Sequence, residues 1–126
     1  NMMMYYIITE KAEDSAFIEK RTEGYQDFIN ELLNIDLDHL EKVCGVDRNV
    51  IKSAALAYAH APNAMSFHGL GVTEHSQGTF TVMQIADLAL LTGNIGRRGV
   101  GVNPLRGQNN VQGSADMGVQ RLICRA

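Results

Sequence analysis

The chain has 126 residues, of which 45% are apolar, 20% are charged and only two are prolines, a composition typical of one folded domain rather than a disordered or collagen-like chain. No apolar run reaches the roughly 18 residues that a membrane helix requires. The formal net charge of −3 is uneven: residues 1–92 carry 6 basic and 13 acidic side chains, whereas residues 93–126 carry five arginines, no lysine and one aspartate. Arginine binds phosphate or carboxylate through two parallel hydrogen bonds, so this stretch favours one localised anionic ligand over a broad nucleic-acid surface.

The first half of the chain is predicted to be helical. Residues 2–9 fit either a buried helix or a strand, because periodicity does not separate the two in a short apolar run. Cys44 lies in an apolar stretch and is predicted to be buried. Neither Cys44 nor Cys124 has a CxxC partner, so no zinc or iron–sulfur site is expected within this chain. Apolar spacing predicts four helices after the undecided segment at 2–9, at 15–21, 25–33, 37–43 and 50–60, the last two with N-caps at Asp36 and Asp47.

The second half is predicted to contain a strand, a helix and a long loop. Residues 64–68 have the pattern of a short buried strand, and a polar turn over 73–77 leads into a helix over 79–91 that is apolar on nearly every side. Such a helix must be covered on several sides, and the chain opens at Asn1 without a methionine, so we expect a segment of a larger protein. Residues 92–118 are predicted to be a loop. The predicted fold is α/β, with helices around a small parallel sheet, as in part of a dinucleotide-binding domain, and a long Gly/Arg-rich loop at the end.

A Gly69–Leu70–Gly71 turn follows the predicted strand directly. A strand, a glycine turn and a helix can together bring backbone N–H groups to a phosphate. A dinucleotide-binding fingerprint would have a third glycine where this chain has Glu74, so a purely structural turn is an equally good interpretation. Glu74 could accept hydrogen bonds from the N–H edge of a guanine or pterin, or stabilise a helix start. His68 flanks the turn, and a histidine in that position is more often structural than a ligand.

A second candidate site surrounds Arg106. Pro104 and Leu105 stiffen the approach to this arginine, and Gly107 lets the backbone come close to a ligand. An arginine with amide groups beside it suits a small anion or a phosphate-bearing heterocycle. A glycine-rich surface loop explains the same composition equally well. The amide side chains that follow are Gln108, Asn109, Asn110 and Gln112.

Three segments, read together, resemble one family. They are GLGVTEHSQG at 69–78, LALLTGNIG at 88–96 and GVNPLRGQNNVQG at 101–113. All three resemble the large subunit of molybdenum- or tungsten-dependent formate dehydrogenases, within the dimethyl sulfoxide reductase family of bis-molybdopterin enzymes. The first two are similar to the wider family, including periplasmic nitrate reductases, whereas the third is similar to formate dehydrogenases in particular. The resemblance extends over residues 2–118.

The resemblance implies an oxidoreductase that oxidises formate to carbon dioxide at a Mo or W centre. Two molybdopterin guanine dinucleotides would hold the metal, and the electrons would pass to a 4Fe–4S cluster. Arg106 matches the family's arginine beside the metal, which orients formate and stabilises its negative charge, so it is expected to be catalytic. The metal ligand and the cluster cysteines of the family lie outside this segment, so no metal-ligating residue is expected here, and the segment alone is expected to be inactive. The expected cofactor-binding residues are Gly69, Leu70, Gly71, Glu74, Gly107 and Gln108.

The resemblance also implies partners, location and boundaries. The expected partners are formate, the remaining domains of the catalytic subunit and an electron-accepting subunit or protein, without nucleic acid and without membrane insertion. Relatives occur on both sides of the cytoplasmic membrane; the cytoplasm is favoured and the periplasm stays open. Residues 1–118 are expected to be a fragment of the catalytic domain. Residues 119–126 do not resemble the family's continuation and are interpreted as an atypical tail that need not be native.

Two other functions stay open on the sequence. The chain could be the same domain of a nitrate reductase or another molybdopterin oxidoreductase, although the residues around Arg106 argue against that interpretation. A non-enzymatic domain whose Arg/Gly tail binds an anion or nucleic acid is the second alternative. The chain has no lysine and no aromatic side chain after Phe80, and single-stranded nucleic acid is bound by stacking on aromatic side chains, so this alternative is disfavoured.

Overall fold

The computed structural model describes residues 1–118 and shows a mixed α/β arrangement, with eight α-helices and one two-stranded parallel sheet in that range. The predicted α/β class and the small parallel sheet are therefore confirmed. The predicted tail at 119–126, with Cys124, lies outside the described residues. In chain order the elements are α1 Met2–Thr9, α2 Ser15–Arg21, α3 Tyr25–Leu32, α4 Leu37–Cys44, α5 Arg48–His60, β1 Met65–His68, α6 Leu70–Thr73, α7 Gly78–Leu91, β2 Gly101–Pro104 and α8 Val111–Asp116.

The first segment, undecided between helix and strand on the sequence, is the buried helix α1. Its side chains Met4 and Ile7 are nearly inaccessible to solvent, at 2% and 0% exposure. A helix satisfies its backbone hydrogen bonds internally, so this apolar segment can be covered on several faces without a strand partner. α1 packs mainly against α5, where the small side chain of Ala55 allows close approach. The core around Met4 and Ile7 is completed by Ile18, Leu32, Ala55 and Leu91.

Aspartates are the N-caps of three of the next four helices, α2, α4 and α5. Asp14, Asp36 and Asp47 each accept a hydrogen bond from a backbone N–H of the first turn, at 2.9, 3.0 and 2.8 Å. The predicted N-caps Asp36 and Asp47 are thus confirmed, and each is of the kind that stabilises a helix by about 1 kcal/mol. α4 ends at Gly45, whose φ of 68° is a left-handed conformation that glycine adopts without strain.

Three expectations from the sequence are corrected. Cys44 is exposed rather than buried, because it lies on an open groove beside Leu40 and Val43 that nothing in the described part of the chain fills. The stretch 92–118 is not one long loop: strand β2 and helix α8 interrupt it, since pairing with β1 fixes the first of these as a strand. Residues 70–73 form the helical turn α6, so the polar turn before α7 is shorter than predicted.

Helix α7 is covered less completely than its composition predicts. Ala89 and Leu91 near its C-terminus are buried, whereas Phe80 and Met83 in its first half are 63% and 55% exposed in the described structure. The predicted coverage on several sides thus applies to the C-terminal half only. None of the helices within residues 1–118 combines the length and the apolar character needed to cross a membrane.

Asn94 joins the end of α7 to the start of β1. The residue is 1% exposed, and its Oδ1 accepts hydrogen bonds from the Ala64 N–H at 3.1 Å and from Arg97 Nη2 at 3.2 Å. Its Nδ2 donates to Thr92 Oγ1 at 2.9 Å. Arg97 also donates to the Pro62 carbonyl at 2.9 Å. Arg97, one of the arginines from which an anionic ligand was predicted, therefore holds the chain that enters β1.

Asp87 of α7 provides a test of the packing beside the core. It lies on a groove of about 260 Å³ with Ile18, Phe28 and Leu90, and burial there raises the pKa of its carboxyl group. The folded state therefore keeps this proton to higher pH than the unfolded state does. It follows that the free energy of unfolding falls as pH rises from the ordinary aspartate pKa, about 4, through the raised value.

The variant Asp87→Asn is neutral at every pH and should remove the free-energy cost of holding a charged carboxylate in this half-buried groove. We expect it to raise the free energy of unfolding at neutral pH by less than about 1 kcal/mol, because a half-buried carboxylate stays partly solvated. Well below the ordinary aspartate pKa the two proteins should be equally stable. Urea unfolding across this pH range checks the expectation, with Glu19→Gln, an exposed position on α2, as the control. A stability difference that does not change with pH would contradict it.

Candidate functional site

The parallel pairing of β1 and β2 brings the two candidate sites to one edge of the sheet. The register pairs Met65 with Gly101 and His68 with Pro104, so both strands end at the same level. The Leu105 N–H donates to the His68 carbonyl at 2.6 Å and continues the contact one residue beyond β2. The turn after β1 and the loop after β2 are consequently neighbours. In α/β proteins the carboxyl edge of parallel strands is where ligands most often bind.

Glycines let the two segments touch. A Cβ added at Gly107 would lie 2.5 Å from Leu70 Cδ1, and one added at Gly69 would lie 3.5 Å from the Leu105 carbonyl oxygen. Leu70 and Leu105 remain 47% and 58% exposed, so the joined segments present an apolar surface to solvent. Four of the predicted cofactor-binding and catalytic positions, at 69, 70, 106 and 107, are thus adjacent in space or in the chain.

The Arg106 side chain lies at this edge and is exposed. Its Nη2 donates to Gln112 Oε1 at 3.0 Å, and within residues 1–118 the structure gives its guanidinium no carboxylate partner. A guanidinium has five N–H donors, so most of them stay available for an anion. Gln108 is also exposed, two residues further along the same loop.

Glu74 lies at the far end of the first segment. It follows the four-residue helix α6, and its backbone N–H donates to the Leu70 carbonyl at 2.9 Å. Because α7 begins only at Gly78, Glu74 does not stand at a helix start, and that interpretation of its carboxylate is wrong. The side chains of Glu74 and His75 are both exposed, and neither makes a hydrogen bond within the described residues. Neither forms a hydrogen bond or a salt bridge with Arg106 within residues 1–118.

His68 is the buried polar residue of the site. It is 7% exposed, and its Nδ1 has no hydrogen-bond partner in the part of the chain that the structure describes. A buried nitrogen without a partner costs about 1–3 kcal/mol, so such a group is normally matched by a ligand, a water or another part of the protein. The backbone carbonyl of His68 accepts from the Leu105 N–H, but the expectation of a structural histidine concerned its side chain and stays a prediction.

Two contributions to the site were missed on the sequence. Gln112 Nε2 donates to Asp116 Oδ1 at 2.9 Å, so an acidic residue stands behind the partner of Arg106. The signal was present, because residues four apart on a helix face each other, and helix α8 contains both. The second is Asn94, whose side chain positions the start of β1. Residues 1–118 contain no group of three or more His, Cys, Asp or Glu side chains placed to hold a metal ion.

Comparison with known proteins identifies the family of the chain. A family model described as molybdopterin oxidoreductase matches residues 1–123. The chain is 43% identical over 118 residues to the F420-dependent formate dehydrogenase subunit alpha of Methanocaldococcus jannaschii. It is 44% identical over 118 residues both to formate dehydrogenase H of Escherichia coli K12 and to the F420-dependent formate dehydrogenase 2 subunit alpha of Methanococcus maripaludis.

These alignments cover 94% of this chain but only 18%, 16% and 18% of the three relatives, so the chain spans less than a fifth of their length. The resemblance drawn from the three sequence segments is confirmed. The chain belongs to the molybdopterin oxidoreductase family.

Proposed function

We propose that this chain is the part of a formate dehydrogenase catalytic subunit that forms one wall of the cofactor site and supplies the arginine that binds formate. The observation that carries the proposal is the position of Arg106, exposed at the carboxyl edge of the sheet beside the Gly69–Leu70 turn and without a neutralising carboxylate in the described residues. The names of the similar proteins support the substrate, since each of the three is a formate dehydrogenase.

The residues at this edge fit a molybdopterin guanine dinucleotide in two respects. Gly69 and Gly107 let the two segments pack together, and the exposed side chains of Leu70 and Leu105 then present an apolar surface against which a large planar group could lie. The Nδ1 of His68, at the end of β1, has no hydrogen-bond partner within residues 1–118, and the edges of pterin and guanine rings carry donors and acceptors that could pair with it. The residues proposed to hold the cofactor are Gly69, Leu70, Gly71, Glu74, Gly107 and Gln108.

The bound cofactor, with Mo or W as its metal, supplies an acceptor for two electrons. Other parts of the subunit supply the metal ligand and the 4Fe–4S cluster that takes the electrons onward to a partner subunit or protein. The cytoplasm is the proposed location. The 126-residue chain alone should be inactive, because none of these parts lies within it.

Arg106 would act on the substrate in the ground state and during the reaction. Formate is a planar carboxylate, and the planar fork of a guanidinium can donate to both of its oxygens at once. Fixing the two oxygens also fixes the direction of the C–H bond, so the hydrogen faces the electron acceptor. A lysine would supply the charge without this planarity.

The experiment that tests the proposal is a substrate comparison with the complete subunit carrying its cofactor. We expect formate to be oxidised with an artificial electron acceptor and nitrate not to be reduced with an artificial donor. Reduction of nitrate without oxidation of formate would assign the chain to a nitrate reductase or a related oxotransferase instead. Absence of both activities in a preparation with full metal and cofactor content would reject both assignments.

A further inference from the structure

We propose that Gln112 and Asp116 are positioning residues that hold the Arg106 guanidinium in place without neutralising it, an inference that rests on the proposed function. Arg106 Nη2 donates to Gln112 Oε1 at 3.0 Å, and Gln112 Nε2 donates to Asp116 Oδ1 at 2.9 Å. The three side chains therefore form a chain of two hydrogen bonds.

The chemistry of the two ends fixes the amide in the middle. A guanidinium can only donate hydrogen bonds, and a carboxylate can only accept them. The Gln112 amide must therefore turn its oxygen to Arg106 and its nitrogen to Asp116. Turning the amide by 180° would oppose donor to donor at one end and acceptor to acceptor at the other. Asp116 thus selects the orientation of Gln112, and Gln112 in turn selects the position of Arg106.

The amide between the two charges has a consequence for anion binding. If a carboxylate contacted Arg106 directly, it would occupy the fork that formate needs and would cancel the positive charge. The Gln112 amide instead provides a neutral acceptor, and the negative charge of Asp116 stays one side chain further away. The only side-chain hydrogen bond that Arg106 makes within residues 1–118 is this one, so its other N–H groups remain available.

Local backbone geometry supports the arrangement. Asn110, ahead of α8, has a left-handed φ of 57°, and a Cβ added at Gly113 would lie 2.1 Å from Asn110 Oδ1. The start of α8 is therefore tightly packed against its own cap residue. Because Gln112 and Asp116 both project from this one short helix at a spacing of four, their separation does not depend on the rest of the chain.

The test replaces the neutral acceptor by a charged one in the complete, cofactor-loaded subunit. In Gln112→Glu a carboxylate would face the guanidinium, so we expect the KM for formate to rise about tenfold while kcat changes less than twofold. Asp116→Asn allows the Gln112 amide to turn, and we expect it to raise KM about threefold. Gln26→Glu is the matched control, since Gln26 lies at an exposed position of helix α3 and donates to Asn30 Oδ1 at the same spacing of four. It should change neither constant.

A second readout does not depend on turnover. Phenylglyoxal modifies accessible guanidinium groups, and peptide mass spectrometry can follow the modification of Arg106 alone. We expect formate to protect Arg106 in the parent subunit, and expect Gln112→Glu to require about ten times more formate for the same protection. Circular dichroism of each variant checks that it is folded, and Asp116→Asn serves if Gln112→Glu is not.

The outcomes separate the two proposals. A parent enzyme that oxidises formate, together with variants that keep its KM and its protection by formate, overturns the positioning role alone. A loss of kcat with unchanged KM also overturns it, because the role is argued for binding of the anion. A parent subunit that does not oxidise formate overturns the proposed function and the positioning role with it.

Discussion

Replacing Arg106 by alanine in the complete subunit is expected to lower kcat/KM for formate by about two to three orders of magnitude. The size follows from what the side chain contributes: a positioned, charged donor to a substrate oxygen, whose removal from an active site typically has an effect of this order. Arg106→Lys should recover part of the loss, because it restores charge but not the planar fork that fixes both oxygens. Steady-state kinetics with formate measures the effect.

The control for this prediction is Arg98→Ala, in the same glycine-rich stretch. Arg98 is exposed and precedes β2, so its loss should leave kcat/KM within about twofold. Metal and cofactor content should be equal in all variants, so that a reduced rate reports on the substrate and not on cofactor loading. Undiminished kcat/KM in Arg106→Ala would remove this arginine from the reaction and, with it, the central residue of the proposed site.

Local signals in the sequence were sufficient for most of the helices. Asp36 and Asp47 are residues whose side chains compete for backbone N–H groups, and the structure uses both as N-caps. The four helices that were predicted between residues 15 and 60 agree with α2 to α5 within two residues at each end. Residues 2–9 could not be decided, because an apolar run of eight residues is compatible with either structure until its neighbours are known.

Predictions failed where burial depends on distant parts of the chain. Cys44 has the apolar neighbours of a buried residue, yet no element within residues 1–118 covers the groove in which it lies. The four residues of β2 have no strong strand pattern, and Pro104 ends them; only pairing with β1 makes them a strand. Composition also treats Arg97 and Arg106 alike. Arg97 donates to the Pro62 carbonyl and to the buried Asn94 amide, whereas the only side-chain hydrogen bond of Arg106 within residues 1–118 is to Gln112.

In the candidate site, too, local features could be predicted from the sequence and the spatial arrangement could not. The residue types at 69–71 and 106–108 could be selected from the sequence, since glycine beside polar or charged side chains is typical of ligand-binding loops. Their proximity could not, because it follows from a parallel register that pairs His68 with Pro104. The contact of Gly107 with Leu70, across the gap between the two segments, is a product of that register.

Replacing Asn94 by alanine is expected to lower the free energy of unfolding of the chain by about 3 kcal/mol. The side chain is 1% exposed and makes three hydrogen bonds. Alanine would leave the Ala64 N–H and Arg97 Nη2 without this acceptor and Thr92 Oγ1 without this donor, whereas Arg97 keeps its bond to the Pro62 carbonyl. A buried group that loses its partner costs about 1–3 kcal/mol, and more where a charge is involved. Urea unfolding followed by circular dichroism measures the change, and thermal unfolding should show a Tm lower by about 10 °C.

The prediction separates hydrogen bonding from loss of volume through two further variants. Asn94→Asp keeps the acceptor for the Ala64 N–H, loses the donor to Thr92 and adds a buried negative charge that pairs with Arg97. It should therefore be destabilised by less than half as much as Asn94→Ala. Asn49→Ala, at an exposed position of α5, should stay within about 0.5 kcal/mol of the parent chain. Equal losses in Asn94→Asp and Asn94→Ala would mean that the Oδ1 hydrogen bonds contribute nothing. The start of β1 would then be held by strand pairing and by the hydrogen bond from Arg97 to the Pro62 carbonyl, because its link to α7 through Asn94 would carry no measurable stability.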